Sequence, residues 1–184
     1  MKKVVLLGDS IRLFGYGKKV AENLKPYAEV FQTEDNQRFA KYTVRLLFDL
    51  KDNIKGADVI HWNNGIWDVC DLFGDGPFTD LDEYIKNMLR IAKILKTYSK
   101  KVIFATTTPA SEKNPNHCNE RTKEYNEAVV KALEKEGIII SDLYYPVLDG
   151  LEENICEDML HLSQKGIDKC AKIVTDDIMK ELKD

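Results

Sequence analysis

Three short stretches of this chain carry residue types that could work together on an ester. They are Gly8-Asp9-Ser10 near the N-terminus, His61-Trp62-Asn63-Asn64-Gly65, and Asp158-Met159-Leu160-His161 near the C-terminus. A serine hydroxyl is a poor nucleophile at neutral pH unless a base takes its proton, and the base needs an acceptor on its other nitrogen to hold the right tautomer. His161 and Asp158 can fill those two roles, because a spacing of three sets them on a common side of a tight loop or helical turn. Attack on a carbonyl also needs donors where the oxyanion forms. The backbone N–H of Ser10 and the side-chain amide of Asn63 are the candidates.

Taken singly, each residue has a plainer explanation. Ser10 suits a turn or helix cap, His161 a surface position beside a helix start, and Asp158 the acidic stretch of Glu152, Glu153 and Glu157. Asn63, in Asn-Asn-Gly, suits a turn. The combination of nucleophile, base and orienting acid changes the balance in favour of a site.

Such a site requires elements that bring both ends of the chain together. Lys2 to Leu7 is a short Val- and Leu-rich run that stops at a Gly-Asp-Ser turn, as a strand buried on both faces does. Similar runs occur at Glu29 to Gln32, Asp58 to His61, Val102 to Thr106 and Ile138 to Ile140. Between them lie segments of helical period. The clearest starts near Thr79-Asp80 and places Leu81, Tyr84, Ile85, Met88, Ala92 and Leu95 on one face. Another begins after Ser163, a good N-cap, and stacks Ile167, Cys170, Ala171, Val174 and Ile178. Further helices are expected near Gln37 to Leu50 and Asn119 to Glu136. Five strands alternating with helices predict right-handed crossovers and a parallel sheet covered on both sides, a three-layer α/β/α sandwich. In such sheets reactive groups gather beyond the carboxyl ends of the strands, where the three stretches fall.

In order and spacing, the Gly8-Asp9-Ser10 block, the Asn63 region and Asp158-x-x-His161 resemble the SGNH (GDSL) hydrolases, over nearly the whole chain. The resemblance implies a flavodoxin-like sandwich and hydrolysis of esters or thioesters, with Ser10 as nucleophile, His161 as base and Asp158 as its orienter. It also implies an oxyanion hole from the Ser10 N–H, a glycine N–H and an asparagine side chain. Two departures suggest a divergent branch. Asp35-Asn36-Gln37-Arg38 stands where the family has a glycine, so Asn36 is expected to present that backbone N–H. His61-Trp62-Asn63-Asn64 stands in place of Gly-x-Asn-Asp, keeping the amide without the glycine. The competing register, Gly65-Ile66-Trp67-Asp68, keeps the glycine and loses the amide; Asn63 is preferred because it lies nearer the strand end.

Asp9, Arg12, Trp62 and Trp67 are the expected substrate-side residues. Arg12 can form a structural ion pair or meet an anionic substrate group, and Ile66 to Phe78, with Trp67 and Phe73, is long enough to form a pocket wall. The expected reaction is hydrolysis of a small acyl ester, such as an acetylated sugar, without cofactor. A lysophospholipase or thioesterase, or a non-catalytic flavodoxin-like binding protein, is the alternative.

Composition agrees with one soluble domain over residues 1–184. The 184 residues are 43% hydrophobic and 32% charged, and 27 Lys+Arg against 31 Asp+Glu give a formal charge of −4. The basic residues are scattered, which argues against nucleic acid. The apolar stretch Val4 to Leu7 falls short of the about 7 to 15 residues of a signal core, and no run approaches the roughly 18 needed to cross a bilayer. Cys70, Cys118, Cys156 and Cys170 form no Cys-x-x-Cys pair. A cytoplasmic protein with reduced thiols, and no membrane partner, is expected; the oligomeric state stays open. Gly8 to Gly17 spells no dinucleotide fingerprint or phosphate loop. Asp71 to Asp82 departs from the calcium-loop pattern at Phe73, and His117-Cys118 lacks a zinc-spaced partner pair, so no metal is expected.

Overall fold

The computed structural model describes residues 1–183. Its centre is a parallel sheet of β1 (Lys2–Leu7), β2 (Ala28–Gln32), β3 (Val59–Asn63), β4 (Lys101–Ala105) and β5 (Ile139–Ser141), in the order β2-β1-β3-β4-β5. All five strands lie within two residues of their expected limits. The helices are α1 (Gly17–Leu24), α2 (Ala40–Ile54), α3 (Leu81–Lys96), α4 (Asn119–Lys135), α5 (Tyr144–Leu148), α6 (Leu151–Asn154) and α7 (Gln164–Lys183). A π-helical turn at Ile11–Tyr16, kinked at Gly15 where the backbone leaves helical geometry, precedes α1.

The strands are hydrophobic on both faces because both are covered. Side chains alternate across a strand, so Val5 and Leu7 of β1 enter one core layer with Leu47, Tyr84, Met88 and Val129 of α2 to α4. Val4 and Leu6 enter the other, with Val20, Leu24, Ala171, Val174 and Ile178 of α1 and α7. This is the expected α/β/α sandwich. Among the described residues, no helix is long and apolar enough to cross a membrane.

The chain leaves β1 to form β2 on one side and β3 on the other. That reversal opens a crevice beyond the carboxyl ends of β1 and β3, the usual position for a site in an open α/β sheet. β1 and β3 pair from Val4↔Val59 to Leu7↔Trp62, which sets Gly8 beside Asn63. Gly8 has a φ of +148°, and a Cβ there would stand 1.9 Å from Asn63 Oδ1. Only glycine allows the two strand ends to come this close.

Candidate active site

Ser10 caps the π-helical turn after β1 and is only 4% exposed. Its backbone N–H has no acceptor among the described residues. Asp9, fully buried, accepts from Ile11 N–H at 3.0 Å and from Asn63 Nδ2 at 2.7 Å through one oxygen, and its other oxygen is unpartnered. Burial pushes its carboxyl up to about 6, against the pull of the Asn63 and Ile11 bonds and the Arg12 charge. Tyr16 OH donates to Asn63 Oδ1 at 3.1 Å. The Asn63 amide is therefore fixed at both ends, with one of its two N–H hydrogens left over.

The loop after β2 is bound to the same turn. The buried Arg12 guanidinium donates to the carbonyls of Thr33 at 2.7 Å, Asp35 at 3.0 Å and Gly8 at 3.1 Å. Gln37 N–H donates to Gly8 O at 3.2 Å. Asn36 Oδ1 accepts from Arg38 N–H at 3.0 Å, and Arg38 takes a left-handed φ of 44°. The Asn36 N–H has no acceptor among the described residues.

The segment between α6 and α7 carries Asp158 and His161, the expected orienter and base. Asp158 Oδ2 meets His161 Nδ1 at 2.6 Å, while Asp158 Oδ1 accepts from His161 N–H at 2.8 Å, Leu160 N–H at 2.9 Å and Cys156 Sγ–H at 3.0 Å. Partial desolvation opposes ionisation of Asp158, but the Cys156 thiol, the two backbone donors and the His161 ring together hold its carboxyl well below the usual range. Cys156 N–H donates to His161 O at 2.8 Å and closes the loop. Ser163 accepts from Gly166 N–H at 3.2 Å, the expected N-cap of α7.

This loop packs on the turn that carries Ser10. The His161 ring meets Phe14 edge to face at 6.2 Å, and the ring's charge bears on Asp9. His161 Nε2 is shielded from solvent and has no partner, so no hydrogen bond joins it to Ser10 here. Catalytic hydrogen bonds are often long before substrate binds.

Beside His161 lies a cavity of about 420 Å³, lined in part by Ile66, Trp67, Cys70, Asn114, His117 and Met159. Ser10 is not in its lining. The expected wall from Ile66 to Phe78 supplies one side through Ile66, Trp67, Cys70 and Leu72; Phe73, 85% exposed, takes no part. Among the described residues, no group of three or more His, Cys, Asp or Glu side chains could hold a metal ion.

Three expected substrate contacts lie elsewhere. Asp9 and Arg12 have no exposed surface and are committed to Asn63 and to loop carbonyls, so neither is available to a ligand in this arrangement. Arg12 takes a structural part, clamping backbone carbonyls in place of the expected ion pair. Trp62 points into the α2 to α4 core and packs on Phe104 at 5.1 Å. Trp67 alone of the four lines the cavity. In the competing register, Asp68 is buried and accepts twice from Ala40 N–H, at 3.0 and 3.2 Å, tying the wall to the start of α2. Sequence reasoning missed the supporting parts played by Tyr16 and Cys156. Cys156, two residues before Asp158, was visible by position but carried no signal of its own.

A flavodoxin-like parallel sandwich with a serine on the turn after β1 and an Asp-x-x-His loop ahead of the last helix is the arrangement that the resemblance to SGNH hydrolases implies. Solved structures share it. A lipase/acylhydrolase from Enterococcus faecalis superposes with a TM-score of 0.81 at 20% identity, covering 98% of this chain and 96% of that one. An acetyl xylan esterase gives 0.77 at 23% identity, covering 96% and 99%. An acetylxylan esterase from Geobacillus stearothermophilus gives 0.73 at 17%, covering 98% and 94%. These likenesses concern the fold. In sequence, the chain is 29% identical over 204 residues to a GDSL esterase/lipase of Oryza sativa subsp. japonica, covering 98% of this chain and 77% of the relative. It is 28% identical over 126 residues to a GDSL esterase/lipase of Arabidopsis thaliana, covering 60% and 48%. No family model matches. In fold, motif order and sequence, the chain is similar to the SGNH (GDSL) hydrolases.

Proposed function

We propose that this chain is a serine esterase of small acyl esters, acetyl esters of carbohydrate among them, and that residues 1–184 work as one catalytic domain. Ser10 Oγ attacks the ester carbonyl carbon and its proton passes to His161 Nε2. The tetrahedral intermediate collapses, the bond from carbon to the alcohol oxygen breaks, and the alcohol leaves with the proton from His161. Water then gives a proton to His161 as its oxygen bonds to the acyl carbon, and Ser10 departs with that proton, releasing the carboxylic acid. Asp158 orients His161 and stabilises the imidazolium. The free N–H groups of Ser10 and Asn36, with the remaining Asn63 amide hydrogen, are the donors for the oxyanion.

The observation that carries this reading is the Asp158–His161 pair at 2.6 Å, with Nε2 unpartnered and the loop packed on the Ser10 turn. The esterase and acetylxylan esterase neighbours support the substrate class. Intact-mass spectrometry after treatment with an organophosphorus ester tests it: wild type should gain one adduct and Ser10→Ala none, with loss of short-chain esterase activity in the variant. An equal adduct on both proteins, or none on folded wild type, would favour a binding protein. A preference for long acyl chains over acetyl would favour a lysophospholipase or thioesterase.

A further inference from the structure

Among the described residues, two that are not glycine have a left-handed backbone, Arg38 and Met159. Met159 lies between Asp158 and His161 with a φ of 67°, a conformation that clashes for residues bearing a Cβ and that glycine adopts freely. The surrounding bonds hold it there. Met159 N–H donates to Cys156 O at 3.0 Å, and Met159 O accepts from Ser111 N–H at 3.0 Å and Asn114 Nδ2 at 3.2 Å. All three use backbone atoms of Met159, so none requires the methionine side chain. Strain kept where glycine would relieve it points to a use for the side chain.

The side chain's surroundings suggest that use. Met159 lines the cavity of about 420 Å³ beside His161 and also a neighbouring groove of about 560 Å³ formed with Ser111, Leu151, Ile155 and Cys156. It is the residue that the two linings share. The chemistry of the proposed reaction says which part of a substrate meets it. His161 must hand its proton to the departing alkoxide, so the alcohol lies on the imidazole side of Ser10. The cavity is lined by His161 and Asp158 and not by Ser10, which makes it the alcohol side.

We propose that Met159 is a specificity-determining residue: its side chain closes the alcohol-side cavity against the neighbouring groove and limits the bulk of alcohol the site accepts. This inference rests on the esterase reading above. The test holds the acyl group constant and varies the alcohol, comparing kcat/KM for phenyl acetate and 1-naphthyl acetate in wild type, Met159→Ala and Met159→Gly. Both variants should raise the naphthyl-to-phenyl ratio about tenfold, mainly through KM, the scale expected when a few methylene-sized groups leave a pocket wall. The butyrate-to-acetate ratio of the phenyl esters should stay within about twofold of wild type, since the acyl side is untouched. Met159→Gly should melt no lower than Met159→Ala, because only glycine relieves the strain. An unchanged naphthyl ratio in active variants, or a shift in acyl preference instead, overturns this proposal alone. A folded wild type inert toward every ester overturns the esterase reading with it.

Discussion

Asp158 is the most heavily bonded side chain of the candidate triad. Its two oxygens take a thiol, two backbone N–H groups and the His161 ring, and these donors keep it ionised. With its folded value depressed, its contribution to stability is present above the unfolded value near ~4 and is lost as pH falls through the folded one. Under the esterase reading, an acid limb in the pH–rate profile therefore belongs to another group. In Asp158→Asn, one acceptor oxygen becomes an N–H₂ donor, so either the backbone bonds are given up or His161 takes the tautomer that accepts at Nδ1, leaving Nε2 protonated and unable to act as base. We expect kcat to fall by about 10³- to 10⁴-fold with KM little changed and the melting temperature only slightly lower; a loss below tenfold would remove Asp158 from the machinery. Ser10 and His161 stood out because serines and histidines are few, and Asp158, one of many aspartates, only through its spacing of three from His161. Arg12 and Tyr16 were not, since their parts depend on complete burial. Asn63 was legible as an amide near the strand end, but its turn-like Asn-Asn-Gly setting gave way to pairing with Ala105 as the last residue of β3. Its bond to Asp9 depends on the register of β1 against β3, which no local pattern encodes.

At the scale of elements, the Asp158 loop is positioned by the way α7 begins. Ser163 N–H donates to Asn154 O at 2.8 Å, and a Cβ on Gly166 would stand 2.2 Å from that same oxygen. Because the obstruction is backbone at the end of α6, it cannot swing away as a side chain would. Alanine is normally the better helix former by about 1 kcal/mol, so propensity alone would make Gly166→Ala stabilising. Close approach reverses the sign here: the substitution should lower the melting temperature and, by pushing the His161 loop off the Phe14 turn, reduce kcat more than a comparable core change such as Val174→Ala. Equal losses in the two variants would mean that α7 tolerates the shift without moving the loop. The long helices were legible from their periodicity, as in α3, where Tyr84, Met88, Ala92 and Leu95 are buried as expected. Helix α1 and the turn before it were not. Only Val20 and Leu24 of α1 present a buried apolar repeat, and its first residue, Gly17, is held beside Arg12 O, which a Cβ would approach to 2.7 Å. Short helices with glycine at their borders carry little local signal, because tertiary packing supplies most of their stability.

At the scale of the whole molecule, two carboxyls among the described residues are buried and costly near neutral pH. Burial pushes Asp9 up to about 6 and Asp68 up to about 7, although backbone and side-chain donors pull each back. An unfolded chain releases both protons near pH ~4. For a group whose folded value is raised, the contribution to stability is full below the unfolded value and is lost as pH rises through the folded one. Between about pH 4 and pH 7 the unfolded state therefore binds fewer protons than the folded state, and these two groups make stability decline. The loss from Asp68 alone is on the order of 4 kcal/mol. What the protein gains in return is geometric: Asp9 fixes the Asn63 amide, and Asp68 holds the cavity wall to α2. Asp68→Asn removes the titration while keeping an oxygen for Ala40 N–H. In urea unfolding, the decline in stability from pH 4 to pH 8 should be shallower in Asp68→Asn by an amount of that order, with the variant relatively more stable at pH 8 than at pH 4. Parallel stability curves would show that Asp68 keeps the same proton in the folded and unfolded chain, and that its burial is relieved by water or by motion of the Ile66 to Phe78 wall.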